Sequence, residues 1–340
     1  MQAWRSPLPC SAALRSRRVK QQARCKPGAL QPFQRALEAG REPHDARGGL
    51  HRLRPGEELL SRQKNAAALF RRGVCRLSGS PPQGRAGFVN QGSHVVLDHA
   101  SLPLFSNVDE NKLRNITTYA HFMKLLDNYE RSTGITERVT PEELTEISLF
   151  LDAVLETQVM KRAHQYLVSK GKSSSDSRQF KSQLNLIWFH LYHRQRNTGP
   201  DSCGFEHVFV GETKSGTEII GFHNWVQFYL QEKNSHLDYK GYKARDHDLP
   251  DQDDHVLNLQ FSWHGVVKPV GSAFIGTSPE FEMALFTVLF LINTERSTTA
   301  LVNIDQCQME LVVIRQGRCL GTAYPKLLSS NSRHVGQHSH

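Results

Sequence analysis

His207 and His223 flank the run Lys214-Ser215-Gly216, which reads as the tip of a hairpin. In a hairpin centred on Ser215, position 207 lies opposite 223, 209 opposite 221 and 211 opposite 219, and opposed side chains share one face of the ribbon. Two imidazoles with ordinary pKa values near 6.5 can hold opposite protonation states at neutral pH. Such a pair suits a reaction that needs one base and one acid. Cleavage of RNA by its own 2′-hydroxyl is one: a base takes the hydroxyl proton, the oxygen attacks the adjacent phosphorus, and an acid protonates the departing 5′-oxygen. A cation is then needed for the charge on the phosphorane. The chain has 17 histidines, however, so spacing alone leaves two ordinary strand histidines as an open alternative.

The elements that must position this pair are read from periodicity. Asn111 to Glu130 places Leu113, Ile116, Tyr119, Phe122 and Leu126 at three- and four-residue steps and predicts a helix. A second helix starts at Thr140 as N-cap, with Pro141 at its first position and Glu143 completing a capping box, and runs toward Lys170-Gly171. A third fits Gln179 to Arg194. After Gly204 the pattern turns to short β-rich runs: FEHVFVGE, TEIIGF, VLNLQFSW, VVKPVGSAF, TALVNID and QMELVVIRQ. Helices Trp225 to Glu232 and Pro279 to Ile292 interrupt them, the second capped by Ser278. The expected fold class is therefore α+β, with a helical lobe over about 106–200 and a mostly antiparallel β lobe over 204–333. The strand-helix alternation of a dinucleotide-binding fold is absent, as are a G-x-G-x-x-G and a Walker loop, so nucleotide-cofactor chemistry is disfavoured.

Charge divides the chain further. The net charge of +9 gathers in residues 1–90, which carry +13, while the remaining residues carry −4. The folded part thus has no overall attraction for a polyanion, and any such attraction is local. Residues 1–90 are rich in Arg, Ala, Gly, Pro and Ser, and a disordered basic extension is expected. The first acidic residue is Glu38, the acid-free composition of an organelle transit peptide, but Pro7, Pro9 and Pro27 interrupt the amphipathic helix such a peptide needs. Six cysteines form no C-x-x-C pair and no dense framework, which argues against zinc and a disulfide scaffold. No run of 18 apolar residues marks a transmembrane helix. Asn115-Ile116-Thr117 would be a glycosylation sequon only in a chain that enters the secretory route, so the compartment stays open between secreted and intracellular.

Four ordered stretches carry a resemblance: Gly204-Phe205-Glu206-His207-Val208-Phe209-Val210-Gly211-Glu212, Gly221-Phe222-His223-Asn224-Trp225, Val267-Lys268-Pro269-Val270-Gly271-Ser272 and Thr277-Ser278-Pro279-Glu280-Phe281-Glu282. Over about 93–333 the chain resembles the EndoU family of poly(U)-specific endoribonucleases. The resemblance implies cleavage of single-stranded, uridine-containing RNA to 2′,3′-cyclic phosphate and 5′-hydroxyl ends. It implies His223 as general base, His207 as general acid and Lys268 as the cation on the phosphorane. Ser272 matches the family serine that hydrogen-bonds the base, and Tyr324 in GTAYPKL matches the aromatic that stacks on it. Thr277 and Ser278 compete with Ser272 for that bond. Stacking does not choose the base, so selectivity would rest on contacts around Ser272.

Glu206 and Glu212 match glutamates associated with activity in the cellular branch of the family. In a regular strand both would lie on the face opposite His207 and support the site from behind. The family is typically activated by manganese, and in some members calcium, so Mn2+ is expected, with Ca2+ as the alternative. The sequence shows no convincing ligand set. The run Asp251-Gln252-Asp253-Asp254-His255 has oxygen ligands suited to a hard cation, but a solvated acidic loop explains it better, and the metal site is left unassigned. A monomer is expected. The alternative from another class is a catalytically silent RNA-binding protein with the same fold.

Overall fold

A computed structural model describes residues 75–77, 98, 100, 102–196, 198–242, 256–304 and 307–330. The expectation of a disordered extension over 1–90 lies almost wholly outside them. The exception is β1 (Cys75–Leu77), which pairs antiparallel with β2 (Phe105–Val108). The acidic run 251–255 also lies outside.

The stretch expected as one helix over 111–130 forms two short ones, α1 (Glu110–Arg114) and α2 (Thr117–Lys124), separated at Ile116, whose backbone is extended (φ −96°, ψ 115°). The capping box at Thr140 is present in both directions: its Oγ1 accepts from the Glu143 amide at 3.2 Å, and Glu143 Oε2 accepts from the Thr140 amide at 2.8 Å. The helix it opens, α3 (Pro141–Glu156), stops at Thr157 instead of running to Lys170. Thr157 is extended, ends α3 and caps α4 (Gln158–Ser169), with Oγ1 donating to the Val154 carbonyl at 2.7 Å and accepting from the Met160 amide at 3.3 Å. One residue out of helical geometry scarcely disturbs the apolar period, which is why periodicity merged the two. Asp176 caps α5 (Ser177–Trp188), which ends six residues before the expected Arg194.

The β-rich half holds the small β3 (Thr213–Lys214) and β4 (Glu218–Ile219) ribbon, α6 (Trp225–Lys233), and two three-stranded antiparallel sheets separated in sequence by α7 (Pro279–Ile292). The first is ordered β5 (Leu237–Tyr242), β6 (Val256–Trp263), β7 (Val266–Phe274). The second is ordered β10 (Cys319–Ser330), β9 (Cys307–Gln316), β8 (Ser297–Ile304). Ser278 occupies the N-cap of α7, but its side chain makes no capping bond. Strands β5 and β10 were not expected, since Gly241, Gly321 and Pro325 interrupt their runs. Gly241 follows a bulge after Tyr239, and Pro325 sits in β10 at the end of its sheet's strand order, where a missing amide is tolerated.

One core joins the halves. Helix α7 is apolar on every side and buried along most of its length, packing on α2 and α4 and on β8 and β9. Trp188 Nε1 donates to Thr287 Oγ1 at 2.8 Å, tying α5 to α7. Phe205 and Phe209 reach into the helical half, against Phe122 and Phe150 and against Trp188 respectively. The residues flanking His207 are therefore fixed by an aromatic cluster of the core. Strand β10 lies against β6 and β7, which closes a cleft between the two sheets.

Candidate active site

FEHVFVGE is not a strand. Glu206–Val210 form a single π-helical turn, and the hairpin beyond it is two residues a side, pairing Thr213 with Ile219 and Lys214 with Glu218, so its centre is Gly216 rather than Ser215. The two histidines nevertheless meet, with ring centroids 6.3 Å apart. They do so because the returning chain hydrogen-bonds directly to the π turn: the Phe222 amide donates to the His207 carbonyl at 2.9 Å and the His223 amide to the Val208 carbonyl at 2.8 Å. Gly221 permits that approach, since a Cβ there would stand 2.3 Å from the His207 carbonyl oxygen. Phe222 takes φ +88°, a costly conformation for a bulky residue, and is held by packing on Phe228, Phe261 and Trp263.

Each imidazole has its Nδ1 fixed from behind. His223 Nδ1 lies 2.8 Å from the Ser272 carbonyl, which only accepts, so the neutral ring carries its proton on Nδ1 and a lone pair on Nε2. His207 Nδ1 lies 2.6 Å from Glu212 Oε2. That same oxygen is ion-paired with Arg194, whose Nε lies 2.9 Å away, so it is held as an acceptor for the ring and the neutral imidazole carries its proton on Nδ1. Arg194 is held in turn by Ser202 Oγ, the Tyr192 hydroxyl and the Gly321 carbonyl, at 2.9, 2.7 and 2.6 Å. Glu212 thus touches His207 directly, contrary to the face expected of a regular strand. The π turn breaks the two-residue alternation, and Gly211 at φ +105° redirects the chain. Glu206 does point away: its Oε2 takes the Cys203 amide at 3.3 Å, and its Oε1 is buried with no hydrogen-bond partner among the described residues.

Lys268 is 9% exposed and donates from Nζ to the Ile219 carbonyl at 2.9 Å, which leaves two ammonium protons for another acceptor. Ser272 lies four residues further along β7, on the same face. The Tyr324 ring, half-buried on β10, lies nearly parallel to His223, with centroids 5.0 Å apart and planes at 17°. His207, His223, Lys268, Ser272 and Tyr324 all line one cleft of about 590 Å³. Thr277 and Ser278 do not line it. The Thr277 hydroxyl donates to Glu282 at 2.7 Å, and its carbonyl accepts from Tyr119 and Trp225.

Burial is the main cause of every large titration shift in the site. It pushes both imidazoles well below their ordinary value, aided by Arg194 and Lys268 at His207 and by Lys268 and His207 at His223, where the Ser272 carbonyl pulls the other way. Lys268 falls to about 8. Glu212 rises to about 7 against the pull of Arg194, and Glu206 rises well above the carboxylate range through burial and the neighbouring Glu212.

Sequence reasoning missed two residues lining the cleft that bear on its chemistry, Arg194 and Asn258. Arg194 was read as the end of a helix, and nothing local marks its bond to Glu212. Asn258 had a signal, a carboxamide inside the apolar run VLNLQFSW.

The model of the family described as Endoribonuclease XendoU matches residues 81–325. Uridylate-specific endoribonuclease C of Danio rerio is 74% identical over 253 residues, covering 74% of this chain and 82% of that protein. Poly(U)-specific endoribonuclease of Xenopus tropicalis is 59% identical over 251 residues, covering 74% and 86%. The solved structure of XendoU, a splicing-independent snoRNA-processing endoribonuclease, superposes with a TM-score of 0.66 at 50% identity, covering 84% of this chain and 99% of its own.

Proposed function

The chain belongs to the XendoU endoribonuclease family and is a uridylate-specific endoribonuclease, and we propose that it cuts single-stranded RNA by 2′-hydroxyl transesterification through His223, His207 and Lys268. The observation that carries this reading is the pair of imidazoles 6.3 Å apart in one cleft with a buried lysine. His223 is the base, because its Nδ1–H is committed to a carbonyl and its Nε2 lone pair is free to take the 2′-hydroxyl proton. The 2′-oxygen attacks phosphorus and the bond to the 5′-oxygen breaks. His207 is the acid: burial, Arg194 and Lys268 push the ring below its ordinary value, and the Glu212 carboxyl on its Nδ1 works against them to hold the imidazolium, whose Nε2–H protonates the leaving oxygen. The ammonium of Lys268 meets the added negative charge on the phosphorane oxygens. The products are a 2′,3′-cyclic phosphate and a 5′-hydroxyl, so the bond-breaking step is a lyase step. Tyr324 supplies the stacking face for the uracil and Ser272 a hydroxyl for its edge. A single-uridine oligonucleotide tests this directly: end analysis should find a cyclic phosphate on the uridine, and a linear phosphate as first product would overturn it.

The lysine gives a pH test. Lys268 is charged below about 8 and neutral above, so its loss should add a second fall in kcat/KM near pH 8, beyond the fall that deprotonation of the His207 imidazolium produces below 6.5. The base stays available down to below 6.5, since His223 is shifted below that value. Lys268→Arg keeps its charge at every working pH, and this variant, though slower, should keep the His207 fall and lose the one near 8. A limb still at 8 in the arginine enzyme would assign it elsewhere.

Manganese is proposed to act on the RNA rather than in the proton transfers. Among the described residues no three His, Cys, Asp or Glu side chains are placed to hold an ion together, and two imidazoles need no metal to make a nucleophile. Chelation is expected to raise KM for RNA several-fold more than it lowers kcat. A fall in kcat at saturating RNA with KM unchanged would put the ion in the chemical step.

A further inference from the structure

Asn258 on β6 lies directly opposite Ser272 in the β6–β7 ladder. Opposed residues of an antiparallel pair place their side chains on one face about 5 Å apart, and both of these line the cleft. Its neighbours Leu257 and Leu259 are buried in the core, whereas Asn258 is half-buried, and among the described residues its carboxamide has no hydrogen-bond partner. With its neighbours turned into the core, Asn258 presents its carboxamide to the cleft, where its donor and acceptor are open to a ligand. A polar ligand edge in the cleft would supply the missing partners.

The edge of uracil presents an acceptor, a donor and an acceptor in the order O2, N3–H, O4. Cytosine presents an acceptor, an acceptor and a donor in the order O2, N3, N4–H2. A serine hydroxyl rotates to donate or accept, so Ser272 alone satisfies either O4 or N4–H2. A carboxamide holds one donor and one acceptor side by side. Placed on N3 and the 4-position it serves both bases, because turning the amide over exchanges its two roles. Placed on O2 and N3 it serves only uracil, because cytosine has two acceptors there and either orientation leaves one facing a like group. Only this second placement yields uridine selectivity.

We propose that Asn258 determines the base: its Nδ2 donates to O2 and its Oδ1 accepts N3–H of the uridine whose 2′-hydroxyl attacks, while Ser272 takes the 4-position. This assignment rests on the proposed use of the cleft, with the base stacked on Tyr324.

The test compares oligonucleotides that carry a single uridine, cytidine or 3-methyluridine at the cleavage position. Asn258→Ala should lower kcat/KM on uridine about ten- to hundredfold, the range of a lost bidentate base contact, and lower it less on cytidine, so the uridine-to-cytidine ratio falls at least tenfold. Methylation at N3 should cost the wild-type enzyme at least tenfold and the alanine enzyme no more than about twofold, because the bond it removes is already gone. Asn258→Asp keeps the shape but turns an acceptor toward O2, and should lose as much on uridine as alanine does. A thermal melt separates folding from recognition, and if alanine fails to fold the aspartate variant carries the test. An unchanged ratio in both variants, or an equal methyl penalty in wild type and variant, overturns the assignment. The reading beneath it fails differently: there the wild-type enzyme itself would show no uridine preference, or Tyr324→Ala would leave uridine cleavage untouched.

Discussion

His223→Ala is expected to lower kcat on a uridine-containing oligonucleotide by about 10²- to 10⁴-fold, the usual contribution of a positioned general base, with RNA binding changed only a few-fold. Among the described residues lining the cleft, no other base is placed to take the proton. His207 is 6.3 Å away and committed through Nδ1 to Glu212, and Lys268 is a cation at neutral pH. The binding surface survives in part, because Tyr324 belongs to β10 and Ser272 to β7, both held by their own ladders. The substrate offers the matching control. With hydrogen in place of the scissile 2′-hydroxyl, wild-type cleavage should vanish while the oligonucleotide remains a competitive inhibitor. Full activity of the alanine enzyme, or cleavage of the deoxy substrate, would each remove the internal nucleophile from the mechanism.

The histidine pair shows how the sequence could be right about a juxtaposition and wrong about its cause. Hairpin symmetry brought 207 and 223 together on paper, but the actual ribbon is two residues a side and centred on Gly216. Contact is made by two hydrogen bonds from the backbone amides of 222 and 223 onto a π turn. The β-rich run FEHVFV read as a strand, but the adjacent Val208 and Phe209 are both buried, and a turn buried on all sides has no periodicity to announce it. The same loss of alternation moved Glu212 from behind the sheet to the imidazole. By contrast, Val256–Trp263, Val266–Phe274 and Pro279–Ile292 were legible to the residue, since each is long, bounded by turn or cap residues and uniform in type. What local pattern could not reach was the long-range part. Arg194 meets Glu212 and Gly321 across 18 and 127 residues of chain. Asn258 gains its meaning only from the register that puts it opposite Ser272.

Glu212 is where that long-range part should weigh most on both stability and rate. Its carboxylate is fully buried and answers Arg194 and His207 through one oxygen. Glu212→Ala would leave a half-buried guanidinium without its acid, and breaking such a pair costs about 3–5 kcal/mol. For a domain of this size that corresponds to a fall in Tm of about 10 °C. Glu212→Gln is the more informative change. Its amide oxygen still presents a dipole to Arg194 and fills the same space, so most of the melting temperature should return. The charge that favours the His207 imidazolium is gone, however, so the acid form persists only at lower pH. The rate optimum should therefore move to lower pH, and kcat at neutral pH should fall by at least about 10²-fold, within the range of a lost general acid. A second sign can be checked on the same protein. Burial raises the Glu212 carboxyl from 4.5 to about 7, so the folded chain holds that proton more tightly than the unfolded one. Its contribution to stability falls as pH rises from about 4.5 to 7, and glutamine removes that share of the slope. A glutamine enzyme with the wild-type pH optimum and rate would show that Glu212 only props up the fold.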